Sequence, residues 1–277
     1  MSKSPTISFI GAGNMASAII GGMLDNGFQA ANIWVSAPDD SHLQSVRNQF
    51  GVYTTTDNRY CAEQADMLVL AVKPQVMADV CKGIAPVVQN TRPLIVSIAA
   101  GLTAETIDEW LGGGLPLVRV MPNTPSLVGK GAAGLFANGS VSGDQKTMVQ
   151  TVFESIGTAL WVNNENLIHS VTALSGSGPA YFFLMLEALE SAATEAGLEP
   201  ATARMLAIQT MAGAAEMAAG SEHEPAQLKR NVMSPGGTTE RAINTFEEGG
   251  MRNLVKKAYD AAFERSQEMS KELADKQ

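Results

Sequence analysis

Glycines and small residues follow the first apolar run of the chain. The apolar residues 7–10 are followed at once by G-x-G-x-x-A at residues 11–16. Gly11 permits a tight turn, Gly13 has no side chain and lets a pyrophosphate approach the backbone, and Ala16 lets the next helix pack closely on the strand. The amino terminus of that helix favours the phosphate charge. The pattern predicts a dinucleotide-binding loop, although the motif by itself also occurs as a glycine turn in other βα units.

The second apolar run indicates which dinucleotide is bound. In NAD-binding proteins an acidic residue about 20 positions beyond the glycines binds the ribose 2′-hydroxyl. Here Ser36 stands at that place. Serine is neutral and can donate to a 2′-phosphate, which favours NADP. No arginine follows, and Asp39 and Asp40 are close, so use of NAD stays open as an alternative.

Two further turns are expected to line the same pocket. Residues 71–74 and 98–101 each end an apolar run, and open α/β sheets bind ligands at the carboxyl ends of their strands. Lys73 by itself could equally be an ordinary surface residue. The predicted cofactor-binding residues of all these loops are Ile10, Gly11, Ala12, Gly13, Asn14, Met15, Ser36, Ala71, Val72, Lys73, Pro74, Ile98, Ala99 and Ala100.

Three turn-rich segments stand at residues 121–125, 175–181 and 234–239. Each could be no more than a strand exit or a helix cap. The third places two glycines and two threonines before a helix, so that free amides and hydroxyls can receive a small carboxylate. The hydroxyl of Thr238 or Thr239 could donate to a second polar atom of the same ligand.

Residue types that are missing limit the chemistry. We find no metal-binding motif and no lysine between Lys146 and Lys229, and His42, His169 and His223 belong to no recognisable catalytic constellation of charged residues. Oxidation of an alcohol needs a base to take the hydroxyl proton, and none is evident. Reduction of an imine needs a base less, because the C=N nitrogen can arrive protonated from water. The pattern favours an imine reductase without a metal.

The elements that must position these loops fall into two halves. Residues 1–163 alternate continuous apolar runs with helical stretches, which is typical of parallel strands covered on both faces. We expect an α/β Rossmann domain with a doubly wound, mostly parallel sheet, followed by an all-helical domain at residues 164–277. The predicted strands are 7–10, 33–35, 51–54, 67–72, 94–98, 117–121, 133–136 and 159–162. The predicted helices include 15–26, 75–85, 103–110, 178–196, 201–219 and 251–275.

The helix predicted at residues 201–219 carries many small and apolar residues. It could be a buried core helix. It could also pack against another subunit, because a small helical domain with apolar helices often needs a partner to cover them.

Composition excludes several classes of protein. The chain has 277 residues, a net charge of -9, 45% hydrophobic and 17% charged residues, which is a globular composition without the basic stripe of a nucleic-acid-binding protein. Cys61 and Cys81 form no motif and are expected to be buried, reduced thiols. No signal-peptide pattern and no apolar run of the ~18 residues that cross a membrane is seen. We expect a cytoplasmic protein without a membrane or nucleic-acid partner.

Five motifs resemble the pyrroline-5-carboxylate reductase family and span nearly the whole chain. They are residues 9–15 (FIGAGNM), 71–74 (AVKP), 121–125 (MPNTP), 175–181 (SGSGPAY) and 231–239 (NVMSPGGTT). The resemblance implies that NADPH, or NADH, gives hydride to the C=N carbon of 1-pyrroline-5-carboxylate and forms L-proline, the last step of proline biosynthesis. It also implies intertwined homodimers that assemble into decamers, with substrate bound at a subunit interface.

The resemblance also implies roles for particular residues. Thr239 would be catalytic, with its hydroxyl hydrogen-bonded to the ring nitrogen. Backbone amides around Gly237 and Thr238 would hold the carboxylate. The substrate-binding residues are then Glu222, Asn231, Ser234, Gly237, Thr238 and Thr239, and Asn58 would touch the adenosine side of the cofactor. Ala37 departs from the family, in which arginine or serine is common there, and this weakens the preference for NADP.

Two other classes are weighed against this interpretation. β-Hydroxyacid dehydrogenases share the glycine-rich start, but they carry a catalytic lysine on the long helix after a glycine turn, and the helix from Pro179 has no lysine. A non-catalytic nucleotide-binding regulator would lack an organised second site, whereas residues 234–239 form one. Turnover of pyrroline-5-carboxylate would distinguish the three.

Overall fold

The computed structural model describes residues 4–274. Its eight strands form one sheet in the order β3-β2-β1-β4-β5-β6-β7-β8. Neighbouring strands are parallel except that β7 runs antiparallel to β6. The strands are β1 Ile7–Ile10, β2 Ile33–Ser36, β3 Tyr53–Thr55, β4 Met67–Leu70, β5 Leu94–Ser97, β6 Leu117–Met121, β7 Gly131–Ala137 and β8 Gly157–Trp161. Each predicted strand overlaps one of these, and the predicted doubly wound Rossmann sheet is confirmed.

Both faces of the sheet are covered by helices, as the continuous apolar runs predicted. All four residues of β1, of β4 and of β5 are buried. One core includes Phe9 and Val69 with Ile19 of the first helix, and the other includes Leu68 and Ile95 with Cys81. The helices are α1 Asn14–Asp25, α2 Asp40–Phe50, α3 Asn58–Glu63, α4 Pro74–Thr91, α5 Ala104–Trp110, α6 Gly143–Glu154 and α7 Leu167–Val171.

The chain after the sheet is helical throughout its described part, which confirms the predicted all-helical second half. A short π-helical turn, Thr172–Gly176, follows α7. The remaining helices are α8 Gly178–Glu195, α9 Pro200–Ala219, α10 Pro225–Asn231, α11 Thr238–Glu248 and α12 Met251–Ala274. Residue 275, predicted as the end of the last helix, lies outside the described residues. No helix of the described chain is long and apolar enough to cross a membrane.

Backbone contacts divide the chain into two compact units, residues 1–177 with 262–277, and residues 178–261. The boundary predicted between residues 163 and 164 marks where the strand pattern ends. The contact division differs because the end of α12 packs within the first unit. There Ser266 Oγ lies 2.9 Å from His169 Nδ1, and Leu273 joins the core beside α5.

A buried ion pair lies in the first unit. The Arg119 guanidinium on β6 is 3% exposed and donates to Glu165 Oε1 at 2.7 Å. The same oxygen accepts the backbone N–H of Ala104 at 2.6 Å, at the start of α5. Burial lowers the pKa of Arg119, and Glu165 opposes this effect. Since removing one partner of a buried pair leaves an uncompensated charge, this contact fixes α5 and the segment after β8 against the sheet.

The second unit leaves apolar helix surface uncovered within one chain. Of α8 only Gly178 is buried, and of α9 only Ala203. The core-helix interpretation of residues 201–219 is therefore wrong for the single chain. The large apolar side chains at least half exposed on these helices are Phe182, Phe183, Leu184, Met205, Leu206, Ile208 and Met217.

Candidate active site

The loops predicted to bind a dinucleotide meet at one edge of the first unit. β1 lies between β2 and β4, with Ile10 opposite Ser36 on one side and opposite Leu70 on the other. Because these strands and β5 are all parallel, their carboxyl ends share one edge of the sheet. The loops that begin at residues 11, 37, 71 and 98 are thus brought together, as the sequence predicted.

Gly11 forms the turn that joins β1 to α1. Its φ of +105° is a conformation that other residues rarely adopt. Its N–H donates to Ser36 O at 2.8 Å, and a Cβ at this position would lie 2.6 Å from Ala71 O. The backbone of this turn therefore contacts both neighbouring strand ends, and no side chain fits between them.

The amino terminus of α1 is open to a ligand. Gly13 is the N-cap and gives the helix no side-chain cap. Nothing lies within 4 Å of the place where its Cβ would stand. Gly13 and Asn14 are exposed, whereas Ile10 and Ala12 are buried, so the latter two can contact a ligand only through the backbone. Uncapped first-turn amides beside an empty space are what an anionic pyrophosphate requires.

The role expected for the Ser36 hydroxyl needs correction. Ser36 is fully buried, and its Oγ donates to Asn58 Oδ1 at 2.8 Å and lies 3.4 Å from Phe9 O. The hydroxyl proton faces the interior, so Ser36 cannot donate it to a 2′-phosphate. It instead orients Asn58 at the start of α3, whose amide Nδ2 has no acceptor among residues 4–274. The Ser36 hydroxyl thus positions the side chain of Asn58.

The other two cofactor loops have different exposure. Lys73 is the exposed N-cap of α4, Pro74 is its first residue, and the ammonium of Lys73 makes no ion pair in the described part of the chain. Ala71 and Val72 are half-buried. After β5, Ile98 and Ala100 are half-buried and Ala99 is buried. The predicted loops are placed together, but no contact yet defines a role for Lys73.

The loop predicted to hold a carboxylate precedes α11 in the second unit. Gly237 is the N-cap and supplies no side-chain cap. Its own N–H donates to Ser234 O at 2.9 Å, and the N–H of Gly236 donates to Glu240 Oε2 at 2.7 Å. The Gly237 amide is therefore occupied within the loop, and of the amides expected around Gly237 and Thr238 it is not the free one.

Free donors remain one and two residues further along this helix. The amides of Thr238 and Thr239 stand in the uncapped first turn of α11 and have no acceptor in the described chain. The hydroxyl of Thr239 makes no hydrogen bond within residues 4–274, and its side chain is half-buried. These two amides and one hydroxyl can hold a small anion and a neighbouring nitrogen.

Of the other predicted substrate-binding residues, Glu222 and Asn231 make no hydrogen bond to the loop before α11 among residues 4–274. Glu222 is exposed in the turn after α9 and makes no hydrogen bond or ion pair within residues 4–274. Asn231 ends α10, and its Oδ1 accepts from Gln227 at 2.7 Å. Ser234 is exposed and uses its carbonyl for Gly237. The observed contacts do not join Glu222 or Asn231 to the loop, so their roles stay predictions.

Two polar residues near these loops escaped the sequence-based prediction. The amide of Asn123 donates to Ser175 O at 2.9 Å and accepts from Ala132 N at 2.8 Å, so it ties the predicted segment 121–125 to the π-helical turn. His42 Nε2 lies 2.7 Å from Ala12 O in the glycine-rich loop. The only signal for His42 was its place just after the Ser36 strand end.

The cysteines lie in the interior, as expected. Cys61 and Cys81 are free and buried. Burial raises the pKa of Cys61 to about 11 and that of Cys81 to about 12. Both thiols stay protonated at neutral pH and are poor nucleophiles, so the site chemistry does not involve them.

The sheet order, the Gly11 turn and the open start of α1 define the class of Rossmann-type dinucleotide-binding proteins. A family model described as NADP oxidoreductase, coenzyme F420-dependent, matches residues 6–101, and one described as pyrroline-5-carboxylate reductase dimerisation matches residues 165–269. The pyrroline-5-carboxylate reductase of Pseudomonas aeruginosa is 46% identical over 98% of this chain and 99% of its own length. The chain belongs to the pyrroline-5-carboxylate reductase family.

Solved structures agree with this assignment. A pyrroline-5-carboxylate reductase from Coxiella burnetii superposes with a TM-score of 0.94 at 45% identity, covering 97% of this chain and 99% of that one. The Plasmodium falciparum reductase, solved with NADP bound, gives a TM-score of 0.85 at 31% identity over 96% and 98% of the two chains. The resemblance is confirmed, and the two alternative classes are set aside.

Two glycine substitutions separate ligand binding from folding. We expect Gly13→Val to abolish dinucleotide binding, because the side chain enters the empty space, while costing only about 1 kcal/mol of stability at an N-cap. Gly11→Ala should lower the melting temperature instead, because positive φ costs about 1–3 kcal/mol and the Cβ meets Ala71 O. Fluorescence titration and thermal melting measure both. Unchanged dinucleotide affinity in Gly13→Val would show that the loop is only a turn.

Proposed function

We propose that this chain reduces the C=N bond of 1-pyrroline-5-carboxylate to L-proline with NADPH, and that NADH serves as an alternative donor. The observation that carries the proposal is that the uncapped amino termini of α1 and α11 can each bind an anion. The sequence also offers no evident base for the oxidation of an alcohol. The 46% identity to a pyrroline-5-carboxylate reductase over nearly the whole chain supports the substrate. We assign cofactor binding to residues 1–163 and substrate binding with dimerisation to residues 164–277.

The residues of the first unit would bind and orient the cofactor. When bound, the reduced nicotinamide supplies a hydride. The amides at the start of α1 would hold the pyrophosphate, with Gly13 leaving room for it. Asn58, oriented by Ser36, would bind the adenosine ribose through its amide Nδ2. These contacts fix one end of the dinucleotide and direct the other toward the remaining strand ends.

The start of α11 would bind the substrate. The amides of Thr238 and Thr239 would hold the carboxylate, and the Thr239 hydroxyl would hydrogen-bond the ring nitrogen. The hydride adds to the C=N carbon, the π electrons pass to nitrogen, and a protonated imine becomes a neutral secondary amine. A hydroxyl hydrogen-bonded to the nitrogen positions the adjacent carbon for attack and stabilises the nitrogen as its charge changes.

The first test is turnover. Purified protein should oxidise NADPH when pyrroline-5-carboxylate is added, measured as loss of reduced-nicotinamide absorbance, and L-proline should appear in equal amount. Oxidation of a β-hydroxyacid with NADP⁺ is the matched control for the rejected dehydrogenase class and should give no signal. Absence of turnover with fresh substrate and a cofactor shown to bind would refute the proposed activity.

Thr239 provides a sharper test of mechanism. Thr239→Ala should lower kcat roughly ten- to a hundred-fold, the ~1.5–3 kcal/mol of a hydrogen bond to a charged group. Thr239→Ser keeps the hydroxyl and should retain most activity. Stability should hardly change, because the N-cap of α11 is Gly237 and the Thr239 hydroxyl makes no capping bond.

Thr245→Ala is the control for Thr239, since this threonine is exposed on the same helix and its hydroxyl donates to Arg241 O at 3.0 Å. It should leave kcat and the melting temperature near those of the parent. Measuring kcat, cofactor affinity and melting temperature on all three variants decides the role of Thr239. A lower melting temperature with a normal kcat in Thr239→Ala would remove it from catalysis.

We further propose a homodimer, formed by the second unit, whose dimers assemble into a decamer as the resemblance implies. The exposed apolar side chains of α8 and α9 support it, since helices with so little buried surface need a partner. The family model for dimerisation covers residues 165–269. The resemblance places the substrate between subunits, so loss of the dimer should also remove activity.

Light scattering at micromolar concentration should show a dimer or a larger assembly. Met205→Asp places a charge on a side chain that is 72% exposed in the single chain. It should therefore be harmless in a monomer and should dissociate a dimer. Leu160→Asp, at a position 65% exposed on β8, is the matched control and should keep the dimer. A fully active monomer would refute the assembly.

A further inference from the structure

The end of β2 offers no arginine or lysine to a 2′-phosphate. Residues 33–46 contain neither. Ser36 directs its hydroxyl into the interior. The next cation along the chain, Arg47, is engaged with the Thr54 hydroxyl and with Gln44 Oε1 at 2.9 Å. No arginine or lysine of residues 33–46 can therefore recognise a phosphate at this strand end.

His42 lies in the first turn of α2 and reaches the glycine-rich loop. Its Nε2 is 2.7 Å from Ala12 O. A carbonyl oxygen can only accept, so Nε2 carries the hydrogen and donates. Because Gly11 N donates to Ser36 O, the loop and the end of β2 are in contact. The ring thus lies across the opening between the glycine-rich loop and α2.

The second ring nitrogen of His42 is available. Nδ1 has no partner among residues 4–274, and the ring belongs to an exposed residue. When Nδ1 also carries a proton, the imidazolium is a cation that donates from both nitrogens. One nitrogen would then stay on the loop while the other faces a ligand.

The ionisable groups next to His42 in the chain are acidic. The Asp39 carboxylate accepts from the N–H of Ser41 at 2.9 Å, from the Ser41 hydroxyl at 2.7 Å and from His42 N at 3.4 Å. The Ser41 hydroxyl bond holds the pKa of Asp39 below its usual value. Asp39 therefore stays ionised close to the His42 side chain. Asp40 adds a second negative charge on α2, and the loop from Gly11 to Met15 adds none.

We propose that His42 is the residue that recognises the 2′-phosphate of NADPH in this chain, with Nε2 held on Ala12 O and Nδ1 donating to the phosphate. The inference rests on the proposed use of a dinucleotide. A preference for NADPH would then follow in a chain where Ala37 and the buried Ser36 hydroxyl cannot supply one. NADH has a 2′-hydroxyl at this place, so the charge of His42 should contribute little to its binding.

Equilibrium binding to the full-length protein tests this without turnover. The probes are NADPH against NADH, and 2′,5′-ADP against 5′-AMP, titrated by fluorescence or calorimetry. His42→Ala should lower the affinity for NADPH and 2′,5′-ADP about tenfold, as expected for a lost charge-assisted hydrogen bond. It should lower the affinity for NADH and 5′-AMP less than about threefold. His42→Lys, which restores a cation, should keep most of the NADPH affinity.

His42→Gln separates charge from loop geometry, because glutamine can still donate to Ala12 O but has no charge. It should lose NADPH affinity as His42→Ala does. Gln49→Ala, exposed on the same helix and without a side-chain hydrogen bond among residues 4–274, is the control and should leave the affinity for both dinucleotides unchanged. An equal loss of affinity for NADPH and NADH in His42→Ala, or no loss for either, would overturn the proposal. Failure of pyrroline-5-carboxylate turnover with intact NADPH selectivity would instead count against the proposed substrate.

Discussion

The close approach of the Gly11 turn to the neighbouring strand ends is the constraint on which the dinucleotide site depends. The N–H of Gly11 donates to Ser36 O, the N–H of Ala71 after β4 donates to Ile10 O at 2.8 Å, and no Cβ on Gly11 fits beside Ala71 O. A backbone that is held from both sides cannot relax toward solvent, so the first amides of α1 keep one direction. Preorganised amides bind an anion without a further ordering cost, and a loop without this contact would have to be ordered by its ligand.

The same constraint explains how an acidic protein can bind a polyanion. The net charge is -9, yet the site relies on helix amides at Gly13 and on a few neutral or ionisable side chains. Backbone dipoles act over one helical turn and are little affected by distant carboxylates that are screened by salt. In the proposed role of His42, one imidazole that donates to the 2′-phosphate would set the selectivity instead of a basic patch.

Much of the fold could be predicted from the sequence because parallel strands buried on both faces need continuous apolar runs, and β1, β4 and β5 have them. The glycine-rich loop and the uncapped threonines of α11 were predictable for a similar reason, since both depend on local backbone geometry. Side-chain directions were not. The Ser36 hydroxyl turns inward because it donates a hydrogen bond to Asn58, which lies on a helix after another strand. The Gly237 N–H donates to Ser234 O. Likewise the end of α12 joins the first unit through Ser266 and His169, a pairing that no local pattern indicates.

In the proposed dimer, the loop before α11 would depend on contacts beyond the single chain. Within it, α10, α11 and α12 are joined by Lys229 and Arg252, which both pair with Glu247 at exposed positions. The two cations lower the pKa of Glu247 to about 2, with the Arg252 hydrogen bond the larger cause. The folded pKa lies below the ordinary one, so this stabilisation is present above pH 4.5 and disappears as the pH falls toward 2. Such exposed pairs contribute little, whereas α8 and α9 leave large apolar side chains unburied. Burial of those side chains in a dimer would therefore stabilise the second unit far more than its ion pairs do, and would make the geometry around Thr239 depend on assembly.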